Sequence, residues 1–192
     1  MPSPANSTTP LKIRAGIPLL ILSMIWLQET VDQLFLGGQW NFPMGRGESV
    51  LNIVLSSFSH ADFDHLWSNT IVFLPASWLV LSKGVRDYIS VWICVIVTEG
   101  LILLFWKNPS HGLSDICFGL MGYLFLIGIL ERRAWEILLS VLAVILYGKF
   151  LAGLLPWNVP AGISWIGHTS GFLGGAIAAL GIYREPNSAG SS

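Results

Sequence analysis

Six apolar stretches separated by polar breaks organise the chain: residues 16–36, 65–82, 88–106, 114–130, 135–155 and 166–183. Each is close to the roughly 20 residues that a helix needs to cross a hydrocarbon core. None alternates apolar with polar positions as a lipid-facing barrel strand would, so the pattern predicts helices. The second and fourth are short and open on polar residues. Around this six-helix membrane domain, 16–183, two polar segments are expected to be flexible tails: 1–15, rich in Pro, Ser and Thr, and 184–192. The first apolar run is too long for a signal-peptide core and no small-residue cleavage site follows it, so it reads as a retained span. The C-terminal end carries no lipidation signal.

Composition sharpens the class. The chain has 192 residues, 53% hydrophobic and 11% charged, with a formal net charge of −1. Soluble domains carry about a quarter charged residues, so an all-α, multi-pass integral membrane protein is expected, in contact with the lipid bilayer. No block of like charge suggests nucleic acid. Cys94 and Cys117 both lie inside apolar runs and read as small packing residues rather than a disulfide framework.

Lys and Arg give the direction. Lys12 and Arg14 precede the first span, Lys83 and Arg86 join the second to the third, Arg132 and Arg133 join the fourth to the fifth, and Arg184 follows the sixth. That places seven of ten on one side, with Arg46 and Lys107 on the other and Lys149 inside the fifth span. By the positive-inside rule both termini are expected in the cytoplasm, and the plasma (inner) membrane is the expected site. The second, fourth and sixth spans then run from outside to inside.

Polar residues gather accordingly. "SHADFDHLWSN" opens the second span, "HGLSD" the fourth and "WIGHTSG" the sixth, and these three places hold all four histidines, His60, His65, His111 and His168. Ser114 and His168 are 54 residues apart in the chain yet at similar depth. A helix beginning at Ser114 reaches about 24 Å inward, so the serine lies below the surface and water reaches it through a cavity. The loop 37–64 contains "QWNFPMG", whose Trp40, Phe42 and Met44 suit the membrane interface. The loop 155–165, "LPWNVPAGISW", suits a mobile flap or, as plainly, an interfacial anchor.

Each cluster has a structural and a chemical reading. Gly167, Gly171 and Gly175, four apart, let helix backbones approach closely in lipid, and His168 belongs to that face. Gly119 and Gly122 give the fourth span a matching surface, and Gly112 frees the turn before Ser114. Ser114 and Asp115 alone would read as a helix cap and a first-turn acid. A hydroxyl becomes a nucleophile when a base removes its proton, and His168 at matching depth is such a base. His65 and Asn69 share one face of the second span and both donate hydrogen bonds, as an acyl-transfer oxyanion requires. His60, nearer the loop, braces them. The alternative is that His and Asn are interhelical hydrogen-bonding glue.

These residues resemble the rhomboid intramembrane serine proteases. "HADFDHLWSN" matches that family's His-x4-His-x3-Asn, "GLSDICFGLMG" its Gly-x-Ser followed by x4-Gly-x2-Gly, and "GHTSGF" its Gly-His-x2-Gly. The match covers residues 60 to about 175, in order, on the second, fourth and sixth spans. The resemblance implies a six-helix bundle with a Ser–His dyad, Ser114 and His168, in a water-filled cavity open to the outside. It implies an oxyanion site of His65, Asn69 and the Ser114 backbone N–H, with Phe118 against the catalytic ring and His60 and Gly112 in support. Implied substrates are membrane-anchored proteins cut in or near a transmembrane segment. No metal or other cofactor is implied.

Two departures stand out. Asp115 occupies the place where the family most often has Gly, and an aspartate facing the cavity would repel the oxyanion. One residue along a helix is a turn of about 100°, which directs it away, towards capping or towards Lys107. The first loop lacks a clear match to the family's Trp-Arg pair. No aspartate is assignable as a third triad member. Glu99, inside the third span, reads as a protonated, hydrogen-bonded packing residue, and Cys117 as packing. A rhomboid-like pseudoprotease that binds transmembrane helices is the alternative function. A four-histidine zinc site ranks below both, because helical ligation favours His at i, i+4 and His60 and His65 are five apart.

Overall fold

The computed structural model describes residues 9–159 and 164–183, and over these the chain is helical. The order is α1 (Leu11–Val31) continued by a π-helical turn (Asp32–Leu36), α2 (Asn52–Leu55) continued by a 3-10 turn (Ser56–Phe58), then α3 (Phe63–Lys83) and α4 (Val85–Leu103). There follow α5 (Ser114–Glu131), α6 (Ala134–Tyr147), a 3-10 segment (Phe150–Leu154) and α7 (Trp165–Ile182). The segments Leu11–Leu36, Ser114–Glu131 and Trp165–Ile182 are long and apolar enough to cross a membrane. Large apolar side chains such as Leu20, Ile93, Leu101, Ile145 and Leu180 point outward, as expected of an integral membrane protein.

Local chemistry sets the helix ends. Asp62 caps α3, its Oδ1 accepting the His65 N–H at 2.7 Å, and Gly84 at φ 151° ends the helix. Ser164 caps α7 by accepting the Gly167 N–H at 3.2 Å. α5 differs: Leu113 stands at its N-cap without a side-chain cap, so Ser114 is the first helical residue and its hydroxyl is free of capping. Arg132, in the left-handed region at φ 53°, stops α5.

α5 is the central post, packed against α3, α4, α6 and α7. Lipid tails are as apolar as leucine, so burial of α5 is stabilised by close van der Waals packing more than by the hydrophobic effect. Glycines make that packing possible. A Cβ on Gly175 would overlap the Gly119 carbonyl oxygen, one on Gly171 the Asp115 carbonyl oxygen, and one on Gly122 the Phe172 carbonyl oxygen. Gly174 faces the other way, where a Cβ would stand 2.6 Å from the Val95 Cα of α4. The small-residue face expected of the sixth apolar stretch therefore packs on α5, and backbone touches backbone.

Two expectations are revised. The fifth apolar stretch, 135–155, is not one helix: α6 ends at Tyr147, and after Gly148 the chain tightens into the 3-10 segment. The long loop does not simply rest its "QWNFPMG" on an interface. Trp40 is exposed, but Met44 is buried and its backbone pairs with Ser110, Met44 N–H to Ser110 O at 2.8 Å and Ser110 N–H to Met44 O at 2.9 Å. Residues 1–8 of the expected N-terminal tail, the C-terminal tail with Arg184, and positions 160–163 of the 155–165 loop lie outside the described residues, while α1 already begins at Leu11, inside the 1–15 segment expected to be a tail.

Candidate active site

The close α5–α7 seam brings Ser114 and His168 to one cavity of about 450 Å³, lined also by His65, His111, Ser110 and Ser164. Ser114 is 6% and His168 8% exposed, each reached from the cavity rather than from the molecular surface. The helix beginnings of α3, α5 and α7 thus meet, as the three polar clusters in the sequence led one to expect.

The His168 ring is held on two sides. Its face stacks on Phe118, with ring centroids 4.3 Å apart and planes 23° from parallel. Phe118 in turn stacks on Phe150 of the 3-10 segment at 4.7 Å. Nδ1 lies 3.0 Å from the Gly153 carbonyl oxygen. A carbonyl accepts only, so Nδ1 carries a proton, and in the neutral ring the lone pair is on Nε2. The Thr169 hydroxyl donates to the Leu154 carbonyl at 3.2 Å, tying the same segment to α7. Phe150 and Gly153 were missed by sequence reasoning. They stand in "KFLAGLL" with no spacing that marks them.

His65 and Asn69 come close to the turn before Ser114 because Gly112 has no side chain. At φ 126° a Cβ on Gly112 would sit 2.8 Å from the His65 Cε1 and 3.7 Å from the Asn69 Nδ2. That Nδ2 is buried and has no acceptor among the described residues. A buried donor without a partner is costly, so its retention needs an explanation. Ser114 itself stands in the first turn of α5, where backbone N–H groups have no helical acceptor.

His60 lies behind the cavity residues, in contact with two of the motifs. Its Nε2 accepts the Leu113 N–H at 3.1 Å, and its ring meets His65 edge to face at 5.1 Å. Burial, reinforced by the neighbouring His65 and His111, lowers its pKa to about 3, so it stays neutral and its Nε2 remains an acceptor. His111, in the connector, is shifted in the same direction by burial first and His65 second.

Asp115 is buried but does not line the cavity. It faces away, as helix geometry implies, yet among the described residues it neither caps the helix nor pairs with Lys107. The Ser114 hydroxyl donates to its Oδ1 at 3.3 Å, and its carboxyl faces Glu99 of α4. Among the described residues no hydrogen bond joins Ser114 to His168; the hydroxyl is turned to the carboxylate instead. Cys117 is buried beneath, its thiol 3.8 Å from the Asn69 carbonyl oxygen, in keeping with a packing role.

Comparison with known proteins agrees with this architecture. Uncharacterized proteins of Mycobacterium tuberculosis and Mycobacterium bovis are each 26% identical over 193 residues, covering 92% of this chain and 80% of theirs. One from Mycobacterium leprae is 27% identical over 176 residues, covering 85% and 70%. Residues 47–185, which contain every side chain of the cavity, match the Rhomboid domain. The chain therefore belongs to the rhomboid family.

Proposed function

We propose that this protein is an intramembrane serine endopeptidase that cleaves membrane-anchored proteins in or near a transmembrane segment, using Ser114 and His168 as a dyad. The observation that carries the reading is the fixed His168 ring. It is stacked on Phe118, its Nδ1–H is turned to the Gly153 carbonyl, and its basic Nε2 is left over in a cavity shared with Ser114. A histidine serving only as interhelical glue would not need its second nitrogen kept free beside a serine.

The chemistry follows from these positions. The Ser114 hydroxyl leaves Asp115 by rotating about χ1 into another staggered well and gives its proton to Nε2 of His168. Oγ attacks the scissile carbonyl, and the oxyanion is met by Asn69 Nδ2, His65 and the Ser114 backbone N–H. The imidazolium returns its proton to the leaving amine, and water, activated by the same nitrogen, releases the acyl group. The Gly153 carbonyl does here what a triad carboxylate does elsewhere: it holds the tautomer and the ring plane. The substrate segment must unwind, because the peptide bonds of an intact helix are screened from attack.

The remaining helices complete a six-span bundle in this reading: α3, α4 and α6 cross along with α1, α5 and α7. With Lys83, Arg86, Arg132 and Arg133 on the cytoplasmic side, the cavity opens outward. A second reading has one observation in its favour, the Ser114 hydroxyl directed to Asp115. It is a pseudoprotease that binds transmembrane helices. A fluorophosphonate probe separates the two. Labelling of wild type, abolished by Ser114→Ala and by His168→Ala along with cleavage of a membrane reporter, supports the protease. Unchanged cleavage in both variants refutes it, and no labelling of wild type favours the binder.

A further inference from the structure

Asp115 and Glu99 are a departure that the dyad does not explain. Asp115 is 1% and Glu99 0% exposed. Space for the Asp115 carboxyl is left by Gly167 of α7, where a Cβ would stand 2.9 Å from Oδ1 and 3.2 Å from Oδ2. From α4, Glu99 faces it. Both Glu99 oxygens are buried and no donor reaches them among the described residues. Two ionised carboxylates so close at so dry a place would repel strongly, with no cationic side chain among the described residues paired to either. A proton between them turns one into a donor and leaves the other an acceptor.

Among the described residues, the surroundings of Asp115 offer no other protonated carboxyl. His65 from α3 and His111 from the connector act on it electrostatically, and Cys117 does so from its own helix. From α7 the nearest titratable side chain in the same cavity is His168, whose Nδ1 is engaged by Gly153. The hydrogen bond that reaches Asp115 from a side chain is that of Ser114.

We propose that Glu99 and Asp115 share one proton and act as a positioning pair, Glu99 donating to Asp115 and Asp115 accepting from the Ser114 hydroxyl. Glu99 touches neither substrate nor reacting atoms. Its work is to draw the negative charge towards α4, away from the place where the oxyanion develops, and to keep Asp115 from gripping Ser114 too tightly. The pair explains how a chain of this family tolerates an acid immediately after its serine. It rests on Ser114 being the nucleophile, but the proton it requires is observable without catalysis.

The test uses the full chain in detergent or liposomes and compares wild type, Glu99→Leu, Glu99→Gln, Asp115→Gly and the double variant Asp115→Gly with Glu99→Leu. Fluorophosphonate labelling and reporter cleavage should slow about tenfold in Glu99→Leu, the factor that one lost buried hydrogen bond is worth. Glu99→Gln, which keeps a donor, should recover most of that rate. In the Asp115→Gly background, Glu99→Leu should cost nothing further. A defect that persists there, or that Glu99→Gln shares in full, is packing and overturns the pair. Infrared difference spectra should show a protonated carboxyl stretch in wild type at neutral pH that Glu99→Gln removes. Its absence from wild type overturns the pair whatever the labelling shows. Its presence with no labelling of wild type keeps the proton-sharing pair and removes the catalytic reading instead.

Discussion

The two ends of α5 are built on opposite principles. At the Glu131 end, polar groups are mostly matched: Lys83 of α3 meets Glu131 at 2.8 Å and Glu136 of α6 at 2.7 Å, and the Tyr123 hydroxyl donates to Asp87 of α4 at 2.5 Å, with Glu136 Oε2 left over. That network joins four helices. At the Ser114 end, Asn69 Nδ2, His111 Nε2, His60 Nδ1 and both Glu99 oxygens are buried without hydrogen-bond partners among the described residues. The same helix thus has one end arranged for cohesion and another that keeps unspent donors and acceptors beside a cavity. Unmatched buried polar groups are costly, and they persist where a reacting group is expected to meet them.

Breaking the seam that both ends share should have the largest effect. Gly175→Val would drive a branched side chain into the Gly119 carbonyl. The expected outcome is loss of the folded protein, read as aggregation on size exclusion; a folded, active variant would mean that α5 and α7 do not touch there. The two ends should then separate cleanly. On the proposed protease mechanism, Asn69→Ala should lower kcat for reporter cleavage by about 10²–10³, the usual consequence of removing one oxyanion donor, with little change in melting temperature. Lys83→Met should do the reverse. It leaves two carboxylates unpaired and should destabilise by about 1–3 kcal/mol, below the figure for a fully buried pair because the side chains are partly solvated, while activity per folded molecule is retained. Swapped phenotypes would refute the division.

The smallest expected effect is a pH slope. His60 is neutral in the folded protein down to about pH 3, whereas the unfolded chain takes up a proton below about 6.5. The unfolded state therefore binds more protons in that window, and stability falls as pH drops from about 6.5 towards 3. His60→Gln should flatten the slope of melting temperature against pH by up to one proton's worth. His111, lowered in the same sense, accounts for part of what remains. An unchanged slope would mean that His60 is not buried as a neutral acceptor for Leu113.

Much of the site was legible because its residues recur at helical spacing. His65 and Asn69 are one turn apart, Ser114 and Phe118 likewise, and Gly171 and Gly175 follow His168 on one helix. Such patterns survive being read in one dimension. That His60 stands near His65 was legible too, though its contact with the Leu113 N–H was not. Phe150 and Gly153 were not found because the apolar run through 135–155 hides a break in the helix. Gly153 contributes a backbone carbonyl, which no side-chain motif can announce. Asp115 does not line the cavity, but its neighbours, the Ser114 hydroxyl and Glu99 of α4, were not legible, because spacing alone does not identify which residue faces it from another helix.

By itself, then, the sequence determined where the apolar stretches lie and which residue types stand at their polar ends. Those are properties of short stretches, set by hydropathy and a 3.6-residue repeat. Tertiary structure alone decided that the Ser114 hydroxyl turns to Asp115, that Gly153 holds the His168 tautomer, and that Glu99 faces Asp115. Hydrogen bonds depend on separations of a few tenths of an ångström, and those are fixed only when glycine-lined helices from distant parts of the chain have closed on one another.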